Sequence, residues 1–280
     1  MAKPRIGFTQ IGFLRDFRLV ERPGSAQEVV EQLLLARGDV DLVECPPGAV
    51  DTTCDSYVFG GNWARYSDPE MEAITAKPYV VNVLGWWEEN TPIQTKWRAP
   101  LLEGARRVFF SSPLHRDRFR ALWKVPSDDA KVSVLPYPLK GGLLKQVALA
   151  ENRPFDALWI GEIHPLAGLD LVVRWADLNK RELHIYGIGP PQGDTPYVKY
   201  RGMFGIGQRI SILSQYRTFV RFPKRPEPFG LCVMEAYLAG LEVIVAGRIG
   251  CLSYGVSLDE VAEMCETSAE RFWAEVQEAL

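Results

Sequence analysis

Short apolar runs of strand length alternate with amphipathic stretches along most of the chain. In the first half, strand-like runs are expected at Arg5–Thr9, Val40–Glu44, Ser56–Gly60, Lys77–Leu84, Arg107–Ser112 and Lys131–Pro136. Between them, SAQEVVEQLLLA (25–36) and HRDRFRALWK (115–124) have helical period, and Leu101–Ala105 reads as the end of another helix. A second series begins with DALWIG at 156–161. Strands follow at 182–186, 198–203, 218–222 and 243–246, with helices near 169–178 and 207–216, and one or two helices from Ser257 onward. Short buried strands separated by helices predict parallel, doubly wound α/β sheets.

The stretch KGGLLKQVALAENRP (140–154) carries a Gly pair, polar residues and a Pro, and reads as a linker. It divides the chain into an N-terminal Rossmann-like domain, 1–145, and a C-terminal one, 146–280. Two such domains are expected to face a cleft, where ligands gather. The composition, 47% hydrophobic and 24% charged over 280 residues, supplies two cores.

A net charge of −3 gives no global field for nucleic acid. The five cysteines have no metal-ligand spacing and read as reduced, small apolar filler. MAKPRIGF has no apolar signal core and no run is long enough to span a bilayer, so a cytoplasmic protein without a membrane span is expected. The pattern says nothing of oligomeric state.

The richest chemistry lies in RFPKRPEPFGLCVMEAYLAGLEVIVA (221–246). Pro228 and Gly230 keep Glu227 in a loop, and the next helix starts near Phe229 or Gly230 with its first N–H groups pointing outward. An anion is favoured there. Glu235 falls on the second turn, where a carboxylate can accept two hydrogen bonds from a vicinal diol.

EPFGLCVMEA, followed by A-x-G and a β run, resembles the E-x7-E region of retaining GT-B glycosyltransferases, the family 4-like type. LWIG (158–161), LHIYGIGP (183–190) and Val198-x3-Gly202 are similar to successive strand ends of that family's donor domain. The resemblance implies a nucleotide-sugar donor, UDP- or GDP-linked, in the second domain and an acceptor in the first. It also implies transfer with retention, and neither metal nor other cofactor. By position, Glu227 is the catalytic candidate that holds and orients the transferred sugar, and Glu235 holds the ribose. Backbone around Phe229, Gly230 and Leu231 meets sugar or phosphate, the turn at Gly187 and the corner at Gly202-Met203 lie against the nucleotide, and Gly12 lets the backbone approach the diphosphate.

The sequence departs from the family where an Arg and a Lys usually follow the donor-domain glycine. Here Glu162 and Ala167 stand after Gly161, which leaves His164, Arg201, Lys224 and Arg225 as candidate replacements. Glu242 replaces a usual Pro, and the family's long return helix is expected to be short or missing. On the acceptor side, the loop Trp86-Trp87-Glu88 offers aromatic faces and a carboxylate. The acceptor stays open: a carbohydrate or small molecule, or DNA with hydroxymethylated bases, as in phage enzymes of this fold, with Arg106, Arg107, Arg116, Arg118 and Arg120 as a local cationic band. The missing cation pair also leaves open a GT-B module that binds a nucleotide or sugar without transferring it.

Overall fold

The computed structural model describes residues 3–9, 33, 36, 40–60, 66–86, 92–123, 129–139, 141–148, 152–188, 195–205 and 208–280. Gly12, Trp87, Glu88, most of the helix expected at 25–36 and the end of the turn at 187–190 lie outside them.

The chain forms two compact units. One holds the described residues up to Pro138 together with Thr267–Leu280; the other is Leu139–Glu266. This differs from a division at 145/146 in one main respect: the last fourteen residues group with the first unit.

The first unit is built on six strands: β1 (Arg5–Phe8), β2 (Asp41–Glu44), β3 (Ser56–Gly60), β4 (Tyr79–Asn82), β5 (Arg107–Phe110) and β6 (Val132–Val134). They form one sheet in the order β2-β1-β3-β4-β5-β6, every pair parallel. All residues of β3 and β4 are buried, as expected for strands covered on both faces. Helices α1 (Asp68–Thr75), α2 (Pro92–Gly104) and α3 (Pro113–Leu122) join the strands. Helix α3 starts where Ser112 accepts a hydrogen bond from the His115 N–H at 3.0 Å and Pro113 opens the first turn. Tyr57, Phe59, Tyr79, Val81, Phe110 and Phe119 lie in the core beneath.

In the second unit, helix α4 (Gly141–Ala148) occupies most of the segment expected to be a linker. The Gly pair opens this helix instead of breaking the chain, and Leu144 is buried. Strands β7 (Phe155–Glu162), β8 (Leu183–Ile188), β9 (Val198–Gly202), β10 (Tyr216–Arg221) and β11 (Glu242–Val245) alternate with α5 (Leu169–Asn179), α6 (Arg209–Leu213) and α7 (Leu231–Leu238). The sheet is again all parallel, ordered β11-β10-β7-β8-β9. The chain therefore winds outward from β7 through β8 and β9, returns to the other side of β7, and winds outward again through β10 and β11. The order reverses between β7 and β10, and ligands of open α/β sheets bind outside the carboxyl ends of the strands at such a point.

Arg153, just before β7, closes the opposite end of this unit. Its guanidinium donates to the carbonyls of Leu213, Tyr216, Val147 and Ala239 at 3.3, 2.7, 3.2 and 2.6 Å. Three of these carbonyls sit at or near the last turns of α6, α4 and α7, where a cation meets unpaired C=O groups and the negative helix ends. Glu242, the departure from Pro, also has a structural use: its carboxylate accepts from the Thr218 hydroxyl at 3.0 Å across the β10–β11 register.

Helix α8 (Leu258–Ala279) is 22 residues long. The expected short or missing return helix is thus corrected: from Thr267 onward the helix belongs to the first unit. Ala269, Phe272, Trp273 and Val276 recur at helical spacing and are buried. The Phe272 ring lies 4.6 Å from Phe109, the Trp273 indole N–H donates to the Leu33 carbonyl at 2.6 Å, and Glu275 pairs with Arg107 at 2.9 Å. Burying each of the two aromatics contributes about 2–3 kcal/mol, which explains why a polar-looking tail holds to this unit.

Candidate active site

At the carboxyl end of β10 stands Arg221, and at the carboxyl end of β7 stands Gly161. Nη1 of Arg221 lies 2.7 Å from where a Cβ on Gly161 would stand, so the guanidinium in this position rests against bare backbone. The same Nη1 donates to the Ile160 carbonyl at 3.4 Å, and the guanidinium carbon is 5.2 Å from the Trp159 ring centroid. Nε donates to Oε1 of Glu227 at 2.7 Å, and Nη2 contacts the same oxygen. Arg221 and Glu227 side chains are 14% and 19% exposed, so the pair is held at the rim of the fold instead of being loose in solvent.

The loop carrying Glu227 is pinned by backbone. The Glu227 N–H donates to the Arg248 carbonyl at 2.9 Å, and the Gly250 N–H donates to the Glu227 carbonyl at 3.1 Å, a parallel bridge to the segment after β11. Two residues on, the Cys251 N–H reaches the Phe229 carbonyl at 2.7 Å, while the Phe229 ring is fully buried. Gly230 then turns the chain into α7 at φ 87°, and a side chain there would strike Ile249 at 2.4 Å. Oε2 of Glu227 lies 3.3 Å from the same Cβ position, beside the start of α7. The site thus sets an arginine, a carboxylate and a helix N-terminus side by side at the point of strand reversal.

Leu231 is buried at the first position of α7. Glu235, one turn further, is 2% exposed, and its Oε1 lies 2.8 Å from Nη1 of Arg209 on α6. The Cys232 thiol nearby is pushed up to about 12 by its burial and then by Glu235. Glu235 is the one charged residue of α7, whose other buried side chains are apolar.

Of the candidate replacements for the missing cations, His164 and Lys224 lie in the loops that follow β7 and β10, where the Lys224 N–H donates to the Leu166 carbonyl at 3.1 Å. His164 caps the turn after β7, its Nδ1 accepting from the Leu166 N–H at 3.2 Å. Lys224 pairs with Asp170 at 2.7 Å, and this bond lowers the Asp170 carboxyl. Arg201 lies 2.9 Å from Nε2 of buried His184, which also meets Glu182 at 2.9 Å, while Nδ1 meets the Tyr216 hydroxyl at 2.7 Å. His184 is therefore a satisfied core group. Arg225 and Met203 are at the surface or half-buried, Met203 at 54% exposure beside Gly202, which turns at φ 81°. At Gly187 a Cβ would come 2.3 Å from the Gly161 carbonyl, so this glycine lets β7 and β8 end side by side. Neither Arg221 nor Arg209 stands out in the sequence. The signal for Arg221 is a cation closing the short run TFV, six residues before the acid.

In the first unit, Trp86 is buried edge-on against His115, 5.0 Å between centroids, with the Arg118 guanidinium 5.0 Å from its ring centroid. The cationic band is largely engaged within its own unit. Arg107 holds Glu275, Arg106 donates to the Ala279 carbonyl at 3.1 Å, Arg116 pairs with Asp117, and Arg118 lies on Trp86. Among the described residues no three His, Cys, Asp or Glu side chains converge, no helix is long and apolar enough to cross a membrane, and all five cysteines are free.

Two all-parallel units of this construction define the GT-B fold. Solved structures share it along almost the whole chain. HepE from Anabaena, determined in complex with UDP and glucose, superposes with a TM-score of 0.61, covering 98% of this chain and 95% of its own at 12% identity. Sucrose-phosphate synthase from Thermosynechococcus elongatus gives 0.65 with 99% and 95% covered at 13% identity. AviGT4, a glycosyltransferase involved in avilamycin A biosynthesis, gives 0.55 with 98% and 93% covered at 16% identity. At these identities the likeness is one of fold. No protein-family profile matches the chain, and no curated protein matches it by sequence.

Proposed function

We propose that the protein is a nucleotide-sugar-dependent glycosyltransferase of the retaining, metal-independent kind. The observation that carries the reading is the placement of the Glu227 loop. A carboxylate and a helix start, joined by a left-handed glycine, sit at the strand reversal of the second unit. That is where a sugar diphosphate needs a hydroxyl acceptor and N–H donors together. HepE, of the same fold, has been captured with UDP-glucose, which supports a donor of this class.

In this reading Glu227 orients the transferred sugar through its hydroxyls, and the first N–H groups of α7 take developing charge on the departing diphosphate. Glu235 takes the ribose diol. Arg209, 2.8 Å from Oε1, holds this carboxylate in place. Corner residues Gly202 and Met203 lie toward the base, and the acceptor, a carbohydrate or small molecule, is met by Trp87 and Glu88 and not by Trp86, which is 5% exposed and packs on His115. A DNA acceptor with hydroxymethylated bases is the second reading, and the pairing of Arg107 and Arg116 within their own unit counts against it.

Calorimetry with UDP-glucose, GDP-mannose and their diphosphates, together with donor hydrolysis followed by NMR of the released sugar, tests the proposal. Binding of one donor and slow release of sugar with its anomeric configuration kept are expected. Binding with no turnover on any acceptor would replace the transferase by a binding module, and inversion would overturn retention. Duplex DNA binding that falls steeply with salt would restore the nucleic-acid acceptor.

A further inference from the structure

The two cations usual after the donor-domain glycine are absent, yet a cation lies over that glycine all the same. It comes from the neighbouring strand. Arg221 ends β10, reaches across to β7, and places Nη1 against Gly161. Its charge is already committed, because Nε and Nη2 both face one oxygen of Glu227. An arginine so neutralised is poorly suited to hold a diphosphate. It is well suited to hold a carboxylate: the ring of Trp159, the Ile160 carbonyl and the bare backbone of Gly161 border the guanidinium on its other sides. Since Oε1 takes both arginine contacts, Oε2 is the oxygen turned toward the start of α7.

We propose that Arg221 is the positioning residue for Glu227, clamping Oε1 so that Oε2 is presented to a hydroxyl of the transferred sugar. The role rests on the donor reading above. It places recognition of the sugar, and not of the phosphates, on the arginine. Rigid support of this kind is what keeps a binding carboxylate in a productive orientation.

The test uses the whole chain, with UDP-glucose against UDP and GDP-mannose against GDP as probes. The ratio of the diphosphate Kd to the nucleotide-sugar Kd measures what the sugar adds. Arg221→Gln should lower that ratio about tenfold, the worth of one charge-assisted hydrogen bond, and leave the diphosphate Kd within about twofold. Arg221→Lys should recover part of the ratio, because an ammonium holds Oε1 from one side only. The double variant Arg221→Gln/Glu227→Gln removes both charges and leaves no unpaired carboxylate in the fold; its ratio should equal that of Glu227→Gln alone. Loss of diphosphate affinity with an unchanged ratio would make Arg221 a phosphate contact and overturn the role. So would a double variant worse than either single one. A wild-type chain that binds none of the four probes would instead remove the donor reading itself.

Discussion

Arg221 and Glu227 stand six residues apart and meet across a proline-containing loop, with Nε 2.7 Å from Oε1. The pair joins the end of β10 to the entrance of α7, so the acid is placed by a strand and not by the loop alone. A carboxylate fixed in this way should matter for the reacting geometry more than for nucleotide affinity. Glu227→Gln is expected to lower donor turnover about a hundredfold, the cost of a small misplacement of reacting groups. The Kd for the nucleoside diphosphate should be unchanged. Single-turnover donor hydrolysis beside calorimetry checks both; an equal loss in the two would assign Glu227 to nucleotide binding.

Much of this loop was legible in the residues themselves. Glu227, Pro228 and Gly230 act locally, and their consequences are set by backbone preferences that a short stretch reveals. Arg221 was harder to see, because a charge at the end of an apolar strand usually points to solvent, and only the strand order brings it beside Gly161. Arg209 and Glu235 lie on different helices, so nothing in either neighbourhood announces the other. The same limit applies to Arg153, whose carbonyl partners come from three helix ends and a strand. It applies again to α8, where spacing reveals a buried face but not which unit covers it. The strands were readable because burial on both faces writes itself as continuous apolar residues. The segment 140–154 reads as a linker because a Gly pair disfavours a helix, yet here the pair sits in the first turn of α4 and Leu144 is buried behind it.

The deep position of Glu235 separates its role from that of Glu227. With 2% exposure and Arg209 against it, this carboxylate is part of the packing as well as the site. Glu235→Ala should weaken nucleoside diphosphate binding about tenfold, more than Glu227→Ala does. Loss of the pair should also destabilise the second unit by about 3 kcal/mol, since an arginine is left without its counter-charge. Glu235→Gln keeps the volume and separates the two effects. Calorimetry and urea titration measure them, and a larger binding loss in Glu227→Ala than in Glu235→Ala would reverse the assignment.

Arg153 makes a prediction about stability alone. Its four carbonyl partners gather helix ends that would otherwise face one another with like partial charge. Arg153→Ala should lower unfolding free energy by about 3 kcal/mol, and Arg153→Lys by part of that, since an ammonium keeps the charge but cannot span four acceptors in a plane. Nucleotide binding by the folded fraction should be unchanged. Denaturant titration followed by far-UV circular dichroism is the measurement; a change below about 0.5 kcal/mol, ordinary for a surface site, would show that water replaces these bonds at no cost.

His115 carries the clearest dependence on pH. The Ser111 N–H donates to its Nδ1 at 3.3 Å, which leaves the proton on Nε2, facing the Gly85 carbonyl at 3.0 Å. Burial among Trp86, Phe110 and Phe119 disfavours the imidazolium and lowers the pKa from 6.5 to about 4. Between those values the unfolded chain binds the proton and the folded chain does not, so the folded state loses ground as the solution is acidified. The contribution is complete above pH 6.5, falls as pH drops, and is gone near pH 4; its full size is about 3 kcal/mol. His115→Gln removes the titration while keeping a donor and an acceptor in the same place. Unfolding free energies measured from pH 7 to pH 4 by tryptophan fluorescence should fall more steeply for the wild type than for this variant. The carboxylates common to both cancel in the difference. Parallel curves would mean that His115 reaches solvent when protonated, and that its burial does not oppose the charge.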